Sequence, residues 1–359
     1  MLVPKYNKIR RSPLKSVEPD FDHKLYKIMI KDMNKNGGVH KPGPRWQMNS
    51  LFKEDRQKQK SPSFKDMVEP WIGVKAAQPV TEEVFAVYRD YFRDRDKMEL
   101  FTSYFPNWTY KDDTGLNIAD LGSILDLNFL HEYIAGAHNS KAMILEIGGG
   151  YGRLAEAFFN VFDGQFIYVM VDAVPASLLY AYTYLTQLYP EKNIGFYYKG
   201  DRFDLNQYDC YLMPIWHFEK ARSNMFDCCI NIASFQEMED QQVAFYLDFF
   251  NRVCTTGGMI YLSNSRDFIY KREYIYPENW QLLVKENTPR SWTSYYPVEV
   301  LKKTEQDCSV QNAQKQLEYL PNLIEAYQEH VLLLEDRLAV YRKANVNLKK
   351  KIERLEKSF

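Results

Sequence analysis

No stretch of the 359 residues stays apolar for the length of a membrane span, and the opening MLVPKYNKIRRSPLK, though basic, lacks the apolar segment of a secretory signal. Both absences predict a cytoplasmic protein. A charge excess is missing as well: 46 basic against 47 acidic residues leave a formal net charge of −1, so no global field draws the chain to nucleic acid. Cysteine is scarce. The five copies, Cys210, Cys228, Cys229, Cys254 and Cys308, show no metal-ligand spacing and read as reduced, mostly buried thiols. What the chain has in quantity is aromatic surface, with 27 Tyr and 22 Phe, side chains that pack and also present a polar or stacking edge. With 45% hydrophobic residues, the length suffices for a full core in one substantial domain plus appendages.

Residues 1–80 are broken by turn formers, as in KNGGVHKPGPRW, and by the solvated charge run KEDRQKQKSPS; this partly irregular extension is expected to wrap the body rather than form its own core. At Thr81 a hydroxyl followed by Glu82 and Glu83 reads as a helix N-cap, opening a helical cap over 81–136 that contributes to the substrate site. From 137 to 305, short β-branched or aromatic runs (MILEI, FIYVMVD, IGFYY, FDCCINI, GGMIYLS) alternate with helical patterns. That alternation predicts an α/β domain with a mostly parallel sheet covered on both faces, and QLLVKENTPRSWTSYY reads as an antiparallel hairpin at its edge.

The tail, 315–359, carries heptads. Leu317, Ile324, Val331, Leu338, Asn345, Ile352 and Phe359 fall on one core position and Leu320, Tyr327, Leu334, Tyr341, Leu348 and Leu355 on the other, so a C-terminal coiled coil starting near Pro321 is predicted. It implies a homo-oligomer, a dimer first with a trimer open. The basic end NLKKKIERLEKSF fits the solvated outer positions of such a rod and also the inner face of a membrane, as a peripheral contact.

One short stretch carries the chemistry. In MILEIGGGYGRLAEAF a strand ends at Glu146, and Gly148, Gly150 and Gly152 then lead into a helix beginning near Arg153, which places backbone N–H groups where open α/β sheets bind ligands. A dinucleotide fingerprint would need glycine at position 153, so a nicotinamide oxidoreductase ranks last. The next strand ends in Asp172, about twenty residues after the last glycine, where a carboxylate can take both ribose hydroxyls.

This E-x-G-x-G-x-G pattern resembles the first motif of class I S-adenosylmethionine-dependent methyltransferases. The resemblance implies their Rossmann-like fold with a seven-stranded sheet, S-adenosylmethionine as cofactor, and Asp201, the last residue of YYKGD, near the adenine. Together with VDAVPASLLYAYTYLTQLYP and FDCCINIASFQEMED, residues 81–300 look like a bacterial sugar O-methyltransferase family. That likeness implies a sugar or cell-surface glycan acceptor and a place in polysaccharide biosynthesis; that the acceptor is lipid-linked is suggested by the basic tail alone. FDCCINI, as a fourth strand, would carry Ser234, Gln236 and Glu237 to the mouth beside the sulfonium.

Methyl transfer to an alcohol needs an aligned acceptor and a base. Glu237 leads as the base, with the alternative that it only caps the following helix N-terminus. His217 comes next, with Trp216 beside it to stack on a sugar, or as a packing histidine. Arg153 either meets the methionine carboxylate or starts its helix exposed. Asn264 and Asp267 are candidates for acceptor hydroxyls or a divalent ion, although no spacing requires a metal, and His131 and His138 lack the zinc helix spacing. A methyltransferase of a non-sugar small molecule and a non-catalytic coiled-coil scaffold retaining the fold remain the alternatives.

Overall fold

The structure, a computed structural model, describes residues 22–41, 80–95, 118–133, 141–162, 164–265, 273–290 and 296–321, together with the single positions 324 and 328. Three helices precede the sheet: α1 (His23–Asn36), α2 (Glu82–Asp94) and α3 (Ile118–Tyr133). The body then runs β1 (Ala142–Ile147), α4 (Arg153–Phe162), β2 (Phe166–Asp172), α5 (Pro175–Leu188), β3 (Ile194–Phe196), β4 (Cys210–Pro214), α6 (Ile215–Phe218), β5 (Phe226–Ile232), α7 (Asp240–Val253), β6 (Cys254–Ser263), β7 (Trp280–Asn287) and β8 (Pro297–Lys303).

All eight strands form one sheet in the order β3-β4-β2-β1-β5-β6-β8-β7. The first six in that order are parallel, and β8 and β7 close the edge as the antiparallel hairpin expected there. The order reverses between β1 and β5, the kind of point at which loops of neighbouring strands diverge in open α/β sheets and ligands bind. Seven strands were expected and eight are present. The additional one is β4, whose residues CYLMP are buried on both faces and so show no period-two alternation, and whose final proline reads as a break.

Strand alternation sorts the core into two layers. Ile144, Tyr168 and Met170 face α3, α4 and α5, while Leu145, Ile147, Ile167, Val169 and Val171 face α6 and α7. Helix α4 (RLAEAFFNVF) owes its stability to this packing: Leu154, Phe158, Val161 and Phe162 recur at helical spacing and are buried, each such burial stabilising by roughly 1.5–3 kcal/mol. All five cysteines are buried and free, as their spacing suggested. The Thr81 cap is present, its side chain accepting from Val84 N.

Helix α1 lies within the extension that sequence patterning left partly irregular. Leu25, Met29 and Met33 form a buried i, i+4, i+8 stripe packed on the body, so the extension adds to the existing core. At the other end, residues 309–321 are helical. Asp307 Oδ1 accepts from Ser309 N at 2.8 Å and opens this helix, which places Pro321 well inside it and not at its start. Most of the heptad tail, from residue 322 on, lies outside the described residues. No helix among the described residues is long and apolar enough to cross a membrane.

Candidate functional site

The strand-to-helix bend after β1 is built from backbone that only glycine adopts readily. Gly148, Gly150 and Gly152 have φ of 78°, 59° and 89°. Their surroundings differ. A β-carbon at Gly148 would collide with the Ser234 side chain, whereas at Gly150 it would meet nothing within 4 Å. The loop is therefore packed from beneath at its first glycine and open at its second.

Asp172, at the carboxyl end of β2, closes on this loop. Its Oδ2 accepts from Gly150 N at 3.0 Å and its Oδ1 from Val174 N at 2.8 Å. Each oxygen keeps a further lone pair. Burial pushes the Asp172 carboxyl up to about 6, with the amides of Val174, Gly150 and Ala173 opposing that rise. Glu146 lies under the loop, buried, accepting from Tyr168 Oη at 2.8 Å, and burial raises it to about 7.

The β5 end forms the opposite lip. Asn231, fully buried, donates through Nδ2 to Ile147 O at 2.9 Å and to Ser234 Oγ at 2.5 Å, and its Oδ1 accepts from Phe235 N. It ties the β1 end to the β5 turn. Ala233, exposed and with φ of 56°, carries the backbone through a region that non-glycine residues rarely occupy. Glu237 sits partly buried on the single 3-10 turn Phe235–Glu237, on the same lip. The next acid, Glu239, opens α7 in a capping box with Gln242.

Several expected positions are relocated. Asp201 was expected near the adenine; the strand beside β2 is β4, with Pro214 in register with Asp172. Asp201 instead accepts from Phe196 N at 2.7 Å and secures the outermost strand β3. Arg153 is neither exposed nor open on all sides: it donates to Ser123 Oγ at 2.8 Å and to Asp126 Oδ2 at 2.9 Å, both on α3. Gln236 and Asn264 brace the lip internally, Gln236 Oε1 accepting from Ser265 N at 2.7 Å and Asn264 Nδ2 donating to Asn231 O at 3.3 Å.

His217 and Trp216 lie beyond Asp172, on α6, and both donate to Asp32 Oδ2 of α1, at 2.8 and 2.9 Å. His217 also stacks on Tyr197, with ring centroids 4.6 Å apart. Trp216 is buried in this contact, which withdraws its ring from stacking on a sugar. His131 Nδ1 approaches Leu127 O at 3.2 Å, one turn back on its own helix. Asp267 and His138 lie outside the described residues. No group of three or more His, Cys, Asp or Glu side chains able to hold a metal occurs among the described residues.

Sequence reading missed Asn231, Asp126, Arg290 and Asp32. Asn231 and Asp126 each carried a signal, a polar residue inside an apolar run (CCINIA, and ILDLNFL with Asn128 two positions on), the pattern expected of a buried, satisfied polar group.

No protein-family model matches the chain, and no curated protein matches it. Solved structures similar to it include a TehB-like SAM-dependent methyltransferase from Corynebacterium glutamicum (13% identity, 61% of this chain and 99% of that one, TM-score 0.34). A second is the Burkholderia thailandensis 1,6-didemethyltoxoflavin-N1-methyltransferase with bound S-adenosylhomocysteine (16% identity, 65% and 94%, TM-score 0.35). The DszA carbon methyltransferase is a third (12% identity, 79% and 88%, TM-score 0.36). At these identities and TM-scores no activity or substrate passes from those proteins to this chain.

Proposed function

We propose that the chain is an S-adenosylmethionine-dependent O-methyltransferase acting on a hydroxyl of a sugar or glycan. One juxtaposition supports this reading: the open, left-handed Gly150 and the carboxylate of Asp172, 3.0 Å apart, at the point where the strand order reverses. A nucleoside fits such a place because its backbone can approach without a side chain in the way and its ribose diol finds the remaining lone pairs of a buried carboxylate. Asp172 and the amides of the glycine loop would hold the adenosyl part, with Ser234 on the facing lip.

When bound, the sulfonium of this cofactor supplies an electrophilic methyl group. The chain's own part is to position and to deprotonate. The β5 lip, braced by Asn231, Gln236 and Asn264, fixes Glu237 on a short turn, where its carboxylate accepts the proton of the acceptor hydroxyl. His217 is held on the other side of Asp172 by Asp32, so Glu237 is the better placed of the two bases.

Titration calorimetry with S-adenosylhomocysteine tests the cofactor assignment. Binding is expected for the wild-type chain and its loss for Asp172→Ala, with the fold retained by circular dichroism; heat-silent wild-type protein would overturn the reading. Glu237→Gln is expected to keep that affinity while turnover drops by at least about tenfold, the lower end of what a positioned base contributes. Turnover equal to wild type would take Glu237 out of the role.

A further inference from the structure

Ion pairing among the described residues leaves one positive charge without a counterion of its own. Arg153 and Arg290 both pair with the fully buried Asp126, which also accepts from Tyr261 Oη at 2.7 Å. Two guanidiniums thus share a single carboxylate. Gly122, one turn before Asp126 on α3, marks how tightly they meet: a β-carbon there would lie 3.5 Å from Arg290 Nη1 and 3.7 Å from Arg153 Nη1. Like charges crowded in a desolvated patch repel unless a second anion joins them.

Two of the nearby carboxyls do not complete the set. Glu146 and Glu156 lie in the field of Arg153, but burial pushes them up to about 7 and about 8, so neither brings a full negative charge at neutral pH. Donors are in surplus instead: Arg290 Nε and Tyr88 Oη are buried with no hydrogen-bond partner among the described residues, and Tyr88 lies in the field of all three charged groups. The Arg153 and Arg290 side chains keep 17% and 12% of their surface exposed, so the patch can be reached.

We propose that this patch is a subsite for a carboxylate carried by the methyl acceptor, so that the acceptor is a hydroxy acid; this rests on the methyltransferase reading above. One missing negative charge matches a carboxylate, whereas a phosphate dianion would overshoot it, and the two-oxygen plane suits a guanidinium fork. Its position favours the acceptor: Asp172 ends β2 on one side of the switch point, while Tyr261 and Arg290 come from β6 and the stretch following β7 on the other.

Thermal unfolding at constant ionic strength, with D-glucuronate and the uncharged D-glucose as probes, tests it. Glucuronate is expected to raise the wild-type midpoint and glucose to leave it unchanged, and Arg290→Met is expected to abolish the response while Arg290→Lys keeps part of it. Without probe, Arg290→Met should unfold no earlier than wild type, since it removes the uncompensated charge; a large loss of stability would mark Arg290 as a structural partner of Asp126 and overturn the proposal. So would a wild-type chain indifferent to glucuronate, or a response equal in Arg290→Met.

The same scan under saturating S-adenosylhomocysteine, and under 5′-methylthioadenosine, which lacks the amino-acid carboxylate, separates the two sources of an acid group. A glucuronate response kept under both nucleosides supports the acceptor. A response lost only under S-adenosylhomocysteine gives the seat to the cofactor and overturns the acceptor assignment. If neither nucleoside binds, the methyl-transfer reading fails and takes the acceptor assignment with it, while the glucuronate difference still upholds the carboxylate seat.

Discussion

Glu146, beneath the bend, is a residue whose chemistry its surroundings alter strongly. It is buried under the glycine loop with one hydroxyl partner, and its carboxyl rises from 4.5 to about 7 through desolvation, the Tyr168 hydrogen bond opposing that rise. For a carboxyl whose folded value is raised, stability is fully present below the unfolded value and is lost as pH rises through the folded one. Glu146 therefore costs the fold stability between about pH 4.5 and just above 7. Glutamine does not titrate and retains an acceptor for Tyr168. Glu146→Gln is expected to gain on the order of 3 kcal/mol relative to wild type between about pH 5 and about pH 8, read from urea unfolding at the two values. Parallel behaviour of the two proteins would show that Glu146 does not titrate in this window. Asp172, raised to about 6, contributes to the wild-type slope in the same direction but cancels in the comparison.

At the scale of elements, one side chain gathers several of the polar contacts that join α1 to the body. Asp32 accepts from Tyr198 Oη at 2.5 Å as well as from Trp216 and His217, so a single carboxylate satisfies donors from α6 and from the turn after β3. Those hydrogen bonds offset its burial, and the Asp32 carboxyl lies below its ordinary value. Removing the acceptor leaves a partly buried indole N–H and a hydroxyl unmatched, at roughly 1–3 kcal/mol for each group that water cannot reach. Asp32→Ala is expected to loosen α1, seen as faster amide exchange in residues 23–36 with the exchange of β1 and β2 unchanged. Unaltered exchange in α1 would show that the Leu25, Met29 and Met33 stripe alone holds the helix.

For the whole molecule, the helix at 309–321 presents apolar side chains to solvent. Val310, Leu317 and Ile324, seven residues apart, are 82%, 65% and 55% exposed, and Leu320 joins them. That spacing continues the heptads of the tail, which supports a seam between copies of the chain. By light scattering, the full chain is therefore expected to be oligomeric and a chain ending at Pro321 monomeric; an oligomer that survives truncation would place the assembly interface on the body.

How much of this was legible follows from the range of the interactions. Thr81 as a cap, the helical stripe of α4, the glycine bend and Asp172 at a strand end all depend on residues within a few positions of one another. Periodicity and composition carry that information directly. The insertion of β4 beside β2 was not legible, because a five-residue run buried on both faces looks the same in the middle of a sheet as at its edge; nor was the bond from Phe196 N that ties Asp201 to the outermost strand.

By itself, then, the sequence determined an α/β body with a glycine-rich bend after its first strand and a heptad pattern in its tail, since those are set by local spacing. Only the tertiary structure decided which charges meet. Arg290 reaches Asp126 across 164 positions and His217 reaches Asp32 across 185, and no local pattern records pairings that form when distant elements pack and water is excluded between them.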